Sequence, residues 1–521
     1  MMMFTVPLGT HVAFTLLLIV LLTCGILGKS FNSPITSPKG SAGKTSIFAN
    51  TEDAPIQLYS DSSSLYIKHR TFPKLGEVEL SVRNGTLQIA TLPTGGASKL
   101  ALATSRRYYA IFGFYKLKDI HYIALVKSVS PLPDYKPEKS SILKVNQIEL
   151  IALPNQTVSA DTDLIMRKLT RKLNSFSFLY SVGEYDILRT LQANQDHAAP
   201  HSSSVDRFYW NKNIIKTLAL NDDNNYLCTK FVNALVSASS FKLGHEMFSL
   251  VLIARRSRKQ QGQRYIKRGV DKHGEVANYV EIEQILLLKG KGGISSFVQV
   301  RGSIPLYWSQ PTPWKPKPDI IIVPDENSTS MQSNQSLVVQ RHIRHLVRDY
   351  GLSIDADKAG FILVNLVDKN GGQGRLGRLW YDMLKSLHGS SLVENQHDIT
   401  DRSLITVQDF LIPLAVKVEE KVRCKYVWMD YHFQCQNQGT HEVIKKLKAQ
   451  LQPLMQSNSL LYSSNTKVST MQRCLVRTNC VDCLDRTNVV QVTDFVFALI
   501  VSMNLMVKRA HADGTFAVGI A

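Results

Sequence analysis

Cysteine is scarce: seven among 521 residues, an odd number, which excludes a secreted scaffold held together by disulfides. There is no internal repeat, so solenoids and propellers are out. Acidic residues are in deficit, with 42 Asp and Glu against 61 Lys and Arg, a net charge of +19. Such a surplus implies acidic partners: nucleic acid, phosphorylated ligands or an anionic membrane. The chain has no RNA- or DNA-binding signature, which argues against the first. What is present is ordinary for a globular protein, with 44% hydrophobic and 20% charged residues. Collagen-like, coiled-coil and wholly disordered chains are therefore excluded. At roughly 150 residues per domain the length suggests two to four domains and a sizeable core.

Residues 1–28 carry no Asp, Glu, Lys or Arg, and Val12–Leu22 is an unbroken run dominated by apolar residues. With its flanks the run reaches about 20 residues, enough to cross a bilayer as a helix. A cleaved signal peptide normally has basic residues before the apolar run. Here they come after it, at Lys29, Lys39 and Lys44. A signal-anchor with the bulk of the chain in the cytosol fits that asymmetry. Residues 29–50, rich in Ser, Gly, Pro and Lys, read as a linker.

From residue 51 to about 165 short alternating runs predict strands at 65–68, 78–82, 87–90 and 122–126. Asn84-Gly85 marks a hairpin turn between two of them. A helix is expected over 161–173, then a mixed α/β region from 166 onward. The near-continuous apolar runs 361–367 and 426–432 suit strands buried on both faces. Val338, Val339, Ile343, Leu346, Val347 and Tyr350 recur at helical spacing, with Gly351 as the stop. Residues 310–336 read as an exposed, mobile loop.

Four of the seven cysteines fall between 435 and 483, and Cys480 is followed after five residues by Arg486. Leu475 and Val476 predict a strand leading in, and 489–498 a helix leading out. Five residues can wrap a loop around one phosphate, with backbone N–H groups pointing inward and a helix N-terminus behind them. The same field lowers a thiol pKa and makes Cys480 a nucleophile. Arg486 can hold two phosphate oxygens bidentately. Val481, Cys483 and Leu484 in the loop, with Thr487 and Asn488 at the helix start, are the candidate phosphate ligands. Asp482 and Asp485 are the candidate general acids. The same cysteines admit other readings: half a zinc site, a thioredoxin-like pair, or a buried structural pair. Further upstream, Arg255, Arg256, Arg258, Lys259, Arg264, Lys267 and Arg268 place seven cations in fourteen residues. By itself this is a solvated basic face. Beside a phosphate-binding loop it becomes a candidate contact for anionic lipid headgroups.

The string Arg477–Asn488, RTNCVDCLDRTN, resembles without a break the signature of the Sac-domain phosphoinositide phosphatases. Blocks at 178–188, 207–211, 255–281, 296–305 and 430–435 are similar to others of that family, in the same order. The resemblance covers most of the chain, from about 60 to 491, and its basic block looks most like the endoplasmic reticulum/Golgi branch. It implies an α/β (α+β) fold: a β-rich N-terminal Sac subdomain over 51–165, then a mixed-sheet Cys-x5-Arg phosphatase domain over 166–521 with a strand–P-loop–helix active site. It implies hydrolysis of phosphatidylinositol 4-phosphate, or of the 3-phosphate, through a cysteinyl-phosphate, with no metal and no cofactor. The implied partners are the phosphoinositide substrate and an anionic membrane surface, with the catalytic domain on the cytosolic side of reticulum or Golgi membranes. The family continues well beyond the equivalent of Gln491, whereas 30 residues follow it here, so a C-terminally truncated catalytic domain is expected. The alternative is a catalytically impaired Sac-like module that only binds anionic lipid.

Overall fold

The computed structural model describes residues 54–69, 77–92, 105–132, 140–196, 203–216, 229–243, 245–262, 266–290, 292–311, 319–323, 329–354, 358–389, 399–415, 418–455, 460–464 and 467–512. The expected signal-anchor (1–28) and linker (29–50) lie outside these residues. The chain is a mixture of helix and strand and divides into two units.

The first unit runs to Leu188 and takes back residues 208–234. Its alternating sequence forms β1 (Ile56–Ser60), β2 (Ser64–His69), β3 (Glu77–Arg83), β4 (Thr86–Leu92) and β5 (Arg106–Tyr108), in the order β4-β3-β2-β1-β5. The Asn84-Gly85 turn joins β3 to β4 with both residues at positive φ, 51° and 69°, the twist that a two-residue hairpin requires. Next come β6 (Ala110–Leu117), β7 (Ile120–Pro131), β8 (Ser140–Ala152) and β9 (Phe178–Gly183), each antiparallel to the one before. Helix α1 (Ala160–Leu173) is N-capped by Ser159. The boundary expected near 165 falls inside this helix. Met166 and Leu169 pack on Ile120, Tyr122 and Leu150, which holds α1 to the first unit and moves the division to residue 188. Strand β10 (Val232–Leu243) begins here, with Val232 opposite Leu179 of β9.

The second unit takes residues 189–207 and the described residues from 235 onward. Strands β11 (Glu246–Arg256), β12 (Val280–Leu288) and β13 (Gly293–Arg301) are an antiparallel meander, and β14 (Trp308–Ser309) pairs with β15 (Ile321–Ile322). Helix α2 (Thr329–Tyr350) ends at Gly351, at φ 56°. It also corrects the loop expected over 310–336. The helix begins at Thr329, and Gln335 is fully buried, bonding Tyr307 N–H and the carbonyls of Tyr307 and Val323.

Strand β16 (Ala359–Asn365) is the buried apolar run foreseen from the sequence, followed by α3 (Gly371–His388), β17 (Thr406–Ala415) and β18 (Val418–Trp428). The second apolar run is a strand only as far as Trp428. Asp430 accepts from Phe433 N–H at 3.1 Å and N-caps α4 (Tyr431–Gln438), so His432 is helical. Helix α5 (Thr440–Met455), β19 (Leu461–Ser464), β20 (Lys467–Thr470), β21 (Leu475–Asn479) and α6 (Asp485–Ala512) complete the unit. Strand β21 lies parallel between β16 and β13, and β16 is parallel to β18. These strands, with β11 two places beyond β13, all end at one edge of the sheet. Helices α5 and α6 cover one face, where Val443, Leu447, Leu451, Val490, Phe495 and Leu499 join Phe297, Val364 and Val476 in one core. Residues Asp485–Met506 of α6 are long and apolar enough to cross a membrane, yet 61% of the apolar stretch is buried in this core.

Candidate active site

Strand β21 is buried at all five positions and delivers Cys480 to the edge of the sheet. The loop Val481–Leu484 then opens helix α6 at Asp485. The strand is tied at its exit on both sides. Leu366 N–H donates to Asn479 O at 2.9 Å, and Asn479 Nδ2 donates to Asn365 Oδ1 at 2.7 Å. Asn365 Nδ2 in turn reaches the Tyr426 hydroxyl at 2.8 Å. Arg477, also buried, donates to Ser303 O at 2.7 Å, to Asn479 Oδ1 at 3.2 Å and to His342 Nε2 at 3.0 Å. His342 Nδ1 faces the Gly274 carbonyl at 2.9 Å, which can only accept, so the ring proton sits on Nδ1. Burial, with the Arg477 charge beside it, pushes His342 well below its usual pKa and keeps it neutral.

The loop turns on Cys483, which holds a φ of 53°, a left-handed conformation uncommon for a residue with a side chain. That turn aims Cys483 N–H at Cys480 Sγ, 3.1 Å away. Burial raises the Cys480 thiol. The Cys483 hydrogen bond, the Arg486 charge and the Leu484 N–H outweigh burial and the opposing charge of Asp482, and the thiol falls to about 6. The Cys483 thiol goes the other way, well above its ordinary value through burial and the neighbouring Cys480; its sulfur donates to Cys480 O at 3.4 Å.

Arg486 stands in the first turn of α6, and its Nη1 donates to Leu366 O (2.9 Å), Asp368 Oδ1 (3.2 Å) and Gln373 Oε1 (3.3 Å). Arg486 is near enough for its charge to lower the Cys480 thiol. Asp482 accepts from Arg268 Nη2, and Arg268 Nε donates to Gln310 Oε1 at 2.7 Å. Asp485 is exposed at the start of α6. Val481 is buried and Leu484 half-buried. The Leu484 carbonyl accepts from Thr487 Oγ1 (2.8 Å) and Asn488 N–H (2.9 Å), both buried residues, and closes the loop onto the helix.

The basic block does not form one surface. Arg255 is wholly buried, 2.8 Å from Glu281 and 2.8 Å from Glu283 of β12, so it cannot meet a membrane. Arg258 pairs with Asp206 at 2.8 Å, and Arg256 is partly buried with Nη2 on Gly262 O. Arg268 is buried against Asp482. Lys267 is exposed, and Arg264 lies outside the described residues. The cause is pairing across β11 and β12, which sets Arg255 opposite Glu281.

Sequence reasoning missed two groups around the loop, Asp368 with Gln373 and His342; it read Asp430 and His432 as strand residues that are core or support the site, whereas they cap and begin a helix. Asp368, 3.0 Å from His432 Nδ1, and Gln373 hold Arg486. His342 holds Arg477. Asp430 accepts from Lys369 N–H at 2.9 Å and Arg402 Nε at 2.7 Å, fixing the neighbouring turn. Burial raises Asp430, but the Arg402 and backbone hydrogen bonds bring it below the usual carboxylate value. The others sit more than a hundred residues from the loop in sequence, and nothing local marks them. Among the described residues no cluster of His, Cys, Asp and Glu is arranged to hold a metal ion.

A family model described as the SacI homology domain matches residues 109–436, a stretch that stops short of the Cys480 loop. Synaptojanin of Caenorhabditis elegans is 30% identical over 357 residues, covering 68% of this chain and 27% of that protein. Phosphatidylinositol-3-phosphatase SAC1 of Saccharomyces cerevisiae is 27% identical over 466 residues, 85% of this chain and 61% of the relative. Phosphoinositide phosphatase SAC2 of Arabidopsis thaliana is 27% identical over 485 residues, 85% and 56%. The chain therefore spans less than two thirds of the length of each of these relatives.

Proposed function

The chain belongs to the SacI homology domain family, and from that premise we propose that it is a phosphoinositide phosphatase of the Cys-x5-Arg type. The observation that carries the reading is the Cys480 thiol, lowered to about 6 inside a strand–loop–helix turn with Arg486 beside it. The substrate is the phosphomonoester of phosphatidylinositol 4-phosphate, with the 3-phosphate as the rival position; the yeast relative's name specifies the latter.

Cys480 thiolate attacks phosphorus, and the S–P bond forms as the bond to the inositol oxygen breaks. That oxygen leaves with a proton from Asp482 or Asp485. Water then cleaves the cysteinyl-phosphate, giving its proton to the same carboxylate and restoring the thiolate. Arg486 and the loop amides of Val481, Cys483 and Leu484 hold the charge on the transferring phosphoryl. Thr487 and Asn488 keep the loop closed. Exposed Lys267 faces solvent, where an anionic membrane would attract it, worth about 1 kcal/mol per cation. The cytosolic face of reticulum or Golgi membranes is the proposed location.

The test is phosphate release from short-chain phosphatidylinositol 4-phosphate, with and without chelator. Release should continue in chelator and disappear in Cys480→Ser. A Cys480→Ser variant that releases phosphate at the wild-type rate sinks the assignment. A wild-type chain that binds anionic vesicles but releases nothing supports the lipid-binding alternative.

A further inference from the structure

We propose that Arg301, seconded by Arg256, forms a second phosphate subsite beside the Cys480 loop, for a phosphate other than the one being cleaved. The inference rests on the phosphatase reading and names the ligand class it takes: molecules that carry two phosphate groups.

Strands β11, β13 and β21 end at the same edge of the sheet. Arg256, the last residue of β11, and Arg301, the last of β13, both pair with Val280 of β12. Arg301 pairs on its other side with Thr478 of β21. Arg256, Val280, Arg301 and Thr478 therefore form one row across the sheet with their side chains on one face. It is the face covered by α6. Gln299, two residues before Arg301, donates to Gln491 O of that helix at 2.9 Å, and Phe297 meets Phe495 edge-on at 6.0 Å. Cys480 lies two residues beyond Thr478 and shares the core on that face. Strand spacing and rise put the Arg301 and Cys480 backbones roughly 8 Å apart, within reach of an arginine side chain.

Arg301 is 6% exposed, and its Nε and Nη1 are buried with no acceptor among the described residues. Thr478 Oγ1 beside it is also buried without a partner there. The other arginines buried to this degree, Arg207, Arg255, Arg268 and Arg477, each have an acceptor. A buried cation left without an anion is costly, and this fold sets a second guanidinium in the same row. Burial, and then the Arg301 charge, hold Arg256 below its usual value. Arg301 thus carries buried donors that no acceptor among the described residues meets. A phosphate meets that need bidentately. It can be the diester phosphate of the lipid or a second monoester on the inositol ring.

The experiment compares Arg301→Met, Arg301→Lys and Arg256→Met with wild type on short-chain phosphatidylinositol 4-phosphate, free inositol 4-phosphate and inositol 4,5-bisphosphate. Wild-type turnover of inositol 4-phosphate tests the phosphatase reading by itself. For the subsite, Arg301→Met should cut the preference for a two-phosphate ligand over inositol 4-phosphate about tenfold in kcat/KM, the scale of one charge-assisted hydrogen bond, with Lys recovering part of it. A cut confined to the lipid assigns the subsite to the diester; a cut on the bisphosphate assigns it to a ring phosphate. The melting temperature of Arg301→Met should hold or rise, because a buried cation has been removed. An equal fall on all three substrates overturns the subsite, since Arg301 would then grip the reacting phosphate. An unchanged preference overturns it too.

Discussion

At the scale of the residue, the proposed chemistry turns on how Cys480 is solvated. It is buried, which disfavours a thiolate, yet the Cys483 side-chain hydrogen bond, the Arg486 charge and the Leu484 amide win by enough to bring it to about 6. Alkylation of Cys480 by iodoacetamide should therefore slow as pH falls, with a midpoint near 6 rather than near the ordinary 9. A midpoint near 9, read by mass spectrometry at that residue, would contradict the described loop. The strand–loop–helix turn that carries Cys480 and Arg486 was legible because it is local. The fate of the basic block was not. Whether Arg255 faces lipid or core is decided by Glu281 and Glu283, more than twenty residues away, and by the register of β11 on β12. Charge spacing along a sequence carries no record of that register.

At the scale of the element, close approach governs α3. A Cβ on Gly377 would lie 2.4 Å from Trp428 Cζ2, and Trp428 is itself fixed by its indole N–H on Val367 O at 3.0 Å. Gly377→Ala should destabilise the protein by about 1–3 kcal/mol, seen as a lower midpoint in urea, because a buried indole has nowhere to move. An unchanged midpoint would mean that α3 can shift away. Strand positions were readable where β-periodicity was clean, as in β2, β3, β4 and β7, and where an apolar run was long enough, as in β16. The run through Tyr426–His432 misled because apolar residues continue past the end of the strand. Asp430 breaks it by capping α4, and a single capping oxygen outweighs several residues of strand propensity.

At the scale of the whole molecule, α6 belongs at once to the Cys480 loop and to the core of the second unit. Arg486 and Thr487 shape the site from its first turn, and Phe495, Leu499 and Met503 are buried further along. Phe495→Ala should cost about 3–5 kcal/mol and take activity down with the melting transition, whereas a membrane-inserted α6 would leave the melting of the sheet untouched. The lowered thiol also links stability to pH. Between about 6 and 9 the folded chain binds fewer protons at Cys480 than the unfolded chain does, so this contribution grows as pH rises through that window and is lost as pH falls through about 6. The two-unit division was only partly readable, because the return of residues 208–234 to the first unit depends on contacts, not composition. The shared helix has one more consequence. A molecule whose core has come apart also loses the amides and the guanidinium that make its sulfur acidic. Its thiol reverts to a sluggish one, so a damaged copy is disarmed by the same event that denatures it.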